Sequence, residues 1–296
     1  MKITLRQLQV FVAIATQGHA SRAADTIGMT QSAASMALAD LERQLGSQLF
    51  NRAGRQLRLN DLGRQLLGQA VEVLDRVAAI EAAARGDTIG FDLHLGYSVT
   101  IGNHLIPHII ARLKQRFPKA QLRLSRLNTE HVFEQVEHYK IDLGFVEGPG
   151  DSRMVRRIPW KTDQLVIFCA PDHPLAQLTI TPEHLSAAEW IMREPGSGTR
   201  EVMAHALHTS DITPNIAFEL EQPEAIRRCV RAGLGIGCLS ELELEEAFRA
   251  GTLIPLATPF LDMKRNLDVI IHRNKALTGG VSALLEAADI RLPPSV

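Results

Sequence analysis

Residues 194–200, Glu-Pro-Gly-Ser-Gly-Thr-Arg, place two glycines, two hydroxyls and a fixed cation where a helix is predicted to start. Gly196 and Gly198 let backbone amides turn inward, Ser197 and Thr199 add hydroxyls, and Arg200 adds positive charge. The free amides of a first helical turn, at the positive end of the helix dipole, make an anion site. A second junction, Tyr97 to Gly102, sets Ser98 and Thr100 beside the amides of another helix start, although capping alone is the plainer reading of those hydroxyls. A third, Phe145 to Gly148, ends an apolar strand at Glu147. A carboxylate there can accept from a partly protonated ligand, pair with Arg200, or serve only as a turn residue.

Other chemistry is thinly supported. The eleven histidines show no metal-site spacing, and His104 and His108, four apart on one predicted helix, lack a third ligand. No Gly-x-Ser-x-Gly elbow is present, so neither a metal nor a catalytic residue is expected and the chain does not read as an enzyme. Cys169 and Cys238 fall in apolar strands, whereas Cys229 sits beside Arg227 and Arg228. A reactive thiol needs exposure and a lowered pKa, so only Cys229 supports an alternative as an oxidant sensor.

The chain has 296 residues, enough for two or three domains, and 45% hydrophobic with 22% charged residues marks a globular protein. No apolar run approaches the roughly 20 residues that cross a membrane. The N-terminus mixes charge into its apolar residues and lacks a signal-peptide pattern, so a cytoplasmic protein with no membrane partner is expected. Residues 1–60 carry seven basic against three acidic side chains, a net charge of +4 within a chain of net charge −1. A positive first fifth fits a phosphate-facing module.

The elements that must position these groups begin with Ser21 to Gly46. Ala23, Ala24 and Ile27 form a short apolar pattern behind a potential cap at Ser21, broken at Gly28 and Met29. Thr30 is a good N-cap for a second helix, whose Ala34, Leu38, Leu41 and Leu45 share one face before Gly46 stops it. Its opposite face starts with Gln31, Ser32 and Ser35, groups suited to base edges and phosphates. This is a helix-turn-helix pattern; an ordinary helical hairpin is the bland alternative. Leu57 and Leu59 then alternate with polar residues behind an Ala53–Gly54 turn flanked by Arg52 and Arg55, a basic wing. Leu5, Leu8, Phe11, Val12 and Ala15 mark one face of a first, scaffolding helix.

Asn60 or Asp61 can cap a long helix reaching about residue 85. Leu66, Ala70, Val73, Val77, Ile80 and Ala84 repeat along it as a heptad seam, predicting a dimerisation helix and half-sites about one duplex turn, or a multiple of it, apart; a helix packed on its own domain is the alternative. Residues 86–90 read as a boundary. Beyond it, predicted strands at 92–97, 121–127, 141–146, 164–170, 190–193, 215–220, 234–239 and 267–272 alternate with helices at 102–116, 129–140, 199–208, 223–232, 241–249 and 277–288. That alternation predicts parallel α/β lobes.

Residues 1 to about 65 resemble the winged helix-turn-helix of the LysR-type transcriptional regulators. The match rests on Leu5, Leu8, Phe11, Ala23, Ala24, Thr30 through Ser35, Leu41-Glu42, Leu45-Gly46, Leu49-Phe50, Arg52, Arg55, Leu59 and Gly63. Met36 and Asn60 depart from the family's usual residues, the first at a position that can change base preference. The resemblance implies an α/β chain with an N-terminal winged helix-turn-helix (1–60), a long linker helix (61–88) and a two-lobed effector domain like the periplasmic binding proteins (89–296). Lobe I takes about 89–161 and 266–296, lobe II about 162–265. It also implies double-stranded DNA as partner, a homodimer that pairs into a homotetramer, and RNA polymerase at the promoter. Ser98 to Asn103, Ile141 to Gly148, Arg193 to Glu201, Ala225-Ile226, Val230 and Gly233 to Ser240 are similar to the CysL/YeiE branch. That branch is associated with sulfite reductase and sulfur assimilation, and some members bind sulfite. No cofactor is implied beyond a small anionic effector, sulfite or a related oxyanion; an organic acid is the alternative.

Overall fold

A computed structural model describes residues 2–53, 56–84, 91–275 and 277–290. The first three helices are α1 (Leu5–Gln17), α2 (Ala20–Thr26) and α3 (Gln31–Leu45). Thr30 caps α3 by accepting from the Ala33 amide at 3.2 Å, and Gly46 ends it at φ 68°, as its sequence predicts. His19, not Ser21, is the N-cap of α2, so Ser21 lies inside that helix. The buried face of α1 also differs from expectation. Gln7, Val10, Phe11 and Ile14 enter the core, while Leu5 is exposed and Leu8 half-buried.

The wing is an antiparallel hairpin of β1 (Phe50–Ala53) and β2 (Gln56–Leu59), paired Phe50 to Leu59. Its Leu57 amide donates to the Gly18 carbonyl at 2.9 Å, which fixes the wing to the end of α1. The linker helix α4 (Asp61–Ala84) follows, and Asn60 caps it by accepting from the Gly63 amide at 2.8 Å. The expected seam divides along this helix. Ala70 is buried in its own winged-helix core beside Leu67, Leu66 is half-buried there, and Val73 and Ile80 are 41% and 68% exposed. Val77 is half-buried. The seam is therefore partly a cis-packing face and only later a free one. Gly54, Arg55 and the boundary at residues 86–90 lie outside the described residues, as do the side chains of Arg52, Ala53 and Ala84.

The effector domain runs through β3 (Asp92–Tyr97), α5 (Val99–His104), α6 (Ile106–Arg116), β4 (Gln121–Arg126), α7 (Thr129–Glu137) and β5 (Leu143–Glu147). Then come β6 (Val155–Cys169), a 3-10 turn at Pro174–Gln177, α8 (Pro182–Ala187), β7 (Glu189–Arg193) and α9 (Gly198–Thr209). It closes with β8 (Asn215–Leu220), α10 (Pro223–Arg231), β9 (Ile236–Ser240), α11 (Glu241–Arg249), β10 (Ile254–Pro255), β11 (Lys264–His272) and α12 (Gly279–Ala287).

Eight strands order as β4-β3-β5-β11-β6-β9-β7-β8, with β10 paired to β6. Parallel β3, β4 and β5 build one lobe and parallel β7, β8 and β9 the other. The antiparallel pair β6 and β11 runs through both lobes, with a register shift at Leu267/Asp268. Here the expected strand at 164–170 is too short: β6 has 15 residues, and the 161/162 lobe boundary falls inside it. Its middle carries Lys161, Thr162 and Asp163, polar residues that hide a strand until β11 is placed against them. The expected helix at 102–116 is two helices, α5 and α6, broken at Leu105 before Pro107. His104 and His108 therefore do not share one helix. Separate apolar clusters fill the lobes, one around Leu95, Phe145 and Val269, another around Trp190, Met203 and Leu207.

The effector domain also touches its own linker helix. Tyr139, held at φ 53°, stacks on His272 with centroids 4.0 Å apart, and its hydroxyl lies 2.6 Å from His272 Nδ1. Gly68 of α4 lacks the Cβ that would collide with that hydroxyl and with Asn274. Lys275 pairs with Asp142 at 2.8 Å and with Asp75 of α4 at 3.3 Å. Burial disfavours the Lys275 charge, but Asp142 and Asp75 outweigh it and hold the ammonium above its ordinary pKa.

Candidate effector site

Most buried polar side chains of the effector domain gather where the two lobes meet the crossing strands. Ser98 is the N-cap of α5, yet its hydroxyl makes no cap bond; it donates to Glu147 Oε2. Capping is thus not what Ser98 does. Thr100 is buried in the first turn of α5. Glu147 is 1% exposed at the end of β5, where Thr129 donates to its carbonyl at 3.1 Å. Burial pushes the Glu147 carboxyl up, with Arg265 and Arg193 opposing that shift.

From lobe II, Ser197 caps α9 without a side-chain cap bond, and Gly198 and Thr199 form the first residues of that helix. Gly196 takes φ +80°, a conformation suited to glycine, with its carbonyl accepting from the Glu130 amide at 3.2 Å. Thr199 accepts from Arg265 Nη1 at 2.9 Å. Arg200 departs from expectation. It donates to the Arg193 carbonyl at 2.9 Å and pairs with Glu219 at 2.8 Å, so its charge is already engaged on β7 and β8.

The cations close to Glu147 are two arginines that spacing did not single out, Arg193 and Arg265. Arg265, 4% exposed on β11, meets Asp163 of β6 through Nε and Nη2, each at 2.7 Å, and lies 3.9 Å from Glu147. Ser240 donates to the other Asp163 oxygen at 2.8 Å. Arg193, 2% exposed, holds Glu194 at 2.7 and 2.8 Å through Nε and Nη2. Its Nη1 has no hydrogen-bond partner, nor does Ser197 Oγ. Unpaired buried donors are uncommon and call for a partner. Arg193 stood within the branch motif of the sequence. Arg265 had no local signal, because it comes from the returning strand β11.

Opposite this cluster, α5 reaches α11. Asn103 donates to buried Glu243 at 3.0 Å, and His104 Nε2 lies 3.2 Å from the same carboxylate. A cavity of about 780 Å³ flanks the crossing strands, lined by Lys161, Asp163, Glu241, Glu245 and Lys264. Among the described residues, no group of three His, Cys, Asp or Glu could hold a metal. Cys169 and Cys238 are buried, which pushes Cys169 up to about 11 and raises Cys238 as well; Cys229 is half-buried.

On the reading head, Thr30, Gln31 and Ser32 are exposed and Ser35 is half-buried, with Gln31 Nε2 donating to Ser35 Oγ at 3.2 Å. Together these helices, wing and two-lobed domain make up a helix-turn-helix head joined through a long helix to a domain of the effector-binding type. Residues 5–64 match the profile for the bacterial regulatory helix-turn-helix protein of the lysR family, and residues 92–291 the LysR substrate binding domain. The chain belongs to the LysR family. It is 41% identical to the HTH-type transcriptional regulator YeiE of Escherichia coli (strain K12), covering 98% of both chains. Full-length OxyR from Pseudomonas aeruginosa shares the fold at a TM-score of 0.74 and 23% identity, over 97% of this chain and 95% of that one. The Synechocystis CcmR regulatory domain in complex with 2-PG aligns at a TM-score of 0.62 and 27% identity, over 67% of this chain and 95% of that one.

Proposed function

We propose that this LysR-type regulator senses a small sulfur oxyanion, sulfite above all, in the cleft between its lobes, and controls sulfur assimilation genes. The carrying observation is the buried meeting of Ser98, Glu147, Arg193, Ser197, Thr199 and Arg265 at two helix N-termini. The likeness to the CysL/YeiE branch supports the same ligand class. Calorimetry of the full chain with sulfite, sulfate and thiosulfate tests it; absence of binding by all three removes the effector while leaving the regulator.

In this reading, Gln31, Ser32 and Ser35 read the major groove of double-stranded DNA, and Thr30, Arg52 and Arg55 hold phosphates. The protein works in the cytoplasm as a homodimer pairing into a homotetramer, in contact with RNA polymerase at the promoter. An apolar groove of about 290 Å³, lined by Ile3, Leu5, Leu8, Leu45, Leu66 and Val73 among others, continues into the exposed part of the linker seam and supports self-association. The effector switches the protein only by binding two arrangements of the assembly unequally.

A further inference from the structure

We infer that the cleft selects an oxyanion carrying one proton, which it presents to Glu147, and so distinguishes hydrogen sulfite from sulfate. This rests on the proposed effector reading and deepens it. An ionised carboxylate can only accept hydrogen bonds. Glu147 Oε2 accepts from Ser98, while Oε1 stands 3.9 Å from Arg265, outside hydrogen-bond distance, and the side chain is shut off from solvent. Burial also makes the Glu147 charge costly, so the site favours a proton shared between this carboxyl and its ligand, and an oxyanion that already holds one near neutral pH supplies it.

The surrounding charge points the same way. Four elements face Glu147: β7 with Arg193, β11 with Arg265, β6 with Asp163 and α11 with Glu243. Both arginines already hold an acid, Arg265 with Asp163 and Arg193 with Glu194. Carboxylates thus outnumber guanidinium groups before any ligand arrives. A dianion without a proton would set a bare oxygen against an acceptor-only carboxylate in a water-poor site, where repulsion is strong. A monoanion offers its O–H to Glu147 and its remaining oxygens to the unpaired donors, Ser197 Oγ and Arg193 Nη1. Each contact is then donor to acceptor. The bound state holds one proton between the Glu147 carboxylate and the ligand oxygen. Sulfite gains its second-stage proton near neutral pH and supplies it at little cost. Sulfate and thiosulfate are far weaker bases and do not.

The test is calorimetry of the full-length protein with sulfite and with sulfate, from about pH 6 to about pH 9, since one linked proton changes affinity by about tenfold per pH unit. Sulfite affinity should hold at the acid end and then fall with that slope, and sulfate should bind at least about a hundredfold more weakly near neutral pH, a two-unit gap on the same scale. Glu147→Gln places an amide donor against the ligand; it should bring the sulfite and sulfate affinities together and flatten the pH profile. Sulfite affinity independent of pH, or sulfate bound as well as sulfite by the wild type, overturns the proton selection and leaves the sulfur-oxyanion reading intact. Binding of neither anion overturns both. If Glu147→Gln does not fold, the wild-type pH series and anion pair decide alone.

Discussion

Gly198, the first residue of α9, lies against the carbonyl oxygen of Glu147, the last residue of β5, so a Cβ at 198 would collide with that oxygen. Gly148 makes the reciprocal approach: at φ +78° its own Cβ would stand 2.7 Å from the Gly198 carbonyl oxygen. These two glycines let the lobes touch beside the buried carboxylate. Gly198→Ala should push the lobes apart, destabilise the effector domain by about 1–3 kcal/mol and weaken anion binding. Thermal unfolding with and without sulfite measures both; an unchanged midpoint and affinity would show that the contact is dispensable.

Arg265 and Asp163 form the buried ion pair that joins the crossing strands, and Ser240 and Thr199 each add a hydrogen bond to it. Removing one partner leaves a buried charge uncompensated. Arg265→Met should cost about 3–5 kcal/mol in urea unfolding. Arg265→Met combined with Asp163→Leu should recover much of that stability while leaving anion binding impaired. If the double substitution is as unstable as the single one, the cost is not that of an orphaned carboxylate.

At the joint with the linker helix, His272 Nδ1 is approached by the Tyr139 hydroxyl and by the Asn274 amide, at 2.6 and 3.1 Å. Both act as donors only if Nδ1 is unprotonated. Burial lowers His272 from 6.5 to about 4, and the Lys275 charge adds to that effect. The folded value lies below the unfolded one, so the unfolded chain takes up the proton first. Stability should therefore fall as pH drops from about 6.5 to about 4, by up to about 1.4 kcal/mol per unit. His272→Gln should remove that slope in urea titrations at several pH values; the same slope in the variant would assign it to other groups.

On DNA, Arg55→Ala should weaken binding to all sequences alike and reduce the salt slope by about 0.9. Gln31→Ala should change sequence preference more than nonspecific affinity. Fluorescence anisotropy with an operator and a random duplex across salt concentrations separates the two, and an unchanged salt slope would remove Arg55 from the phosphate contacts.

The winged helix-turn-helix was readable because its determinants are local. Thr30 and Asn60 accept from amides three residues on, Gly46 donates its own amide to the Arg43 carbonyl, and the apolar spacing of Ala34, Leu38 and Leu41 needs one helix to make sense. Strand β8 and helix α11 were readable at both ends for the same reason. The length of β6 was not, because Lys161 and Asp163 break the apolar pattern and find their partners about a hundred residues away, on β11.

The candidate cleft divides in the same manner. Sequence alone determined which turns start helices, and so where Ser98, Thr100, Ser197, Gly198 and Thr199 stand relative to free amides. Tertiary structure decided which charges face the cleft. It turned Arg200 away to Glu219 and brought Arg265 in from the far end of the chain. It also buried Glu147 between the lobes. Caps and periodicity are short-range consequences of backbone geometry, whereas the partner of a buried charge depends on the order in which strands join the sheet.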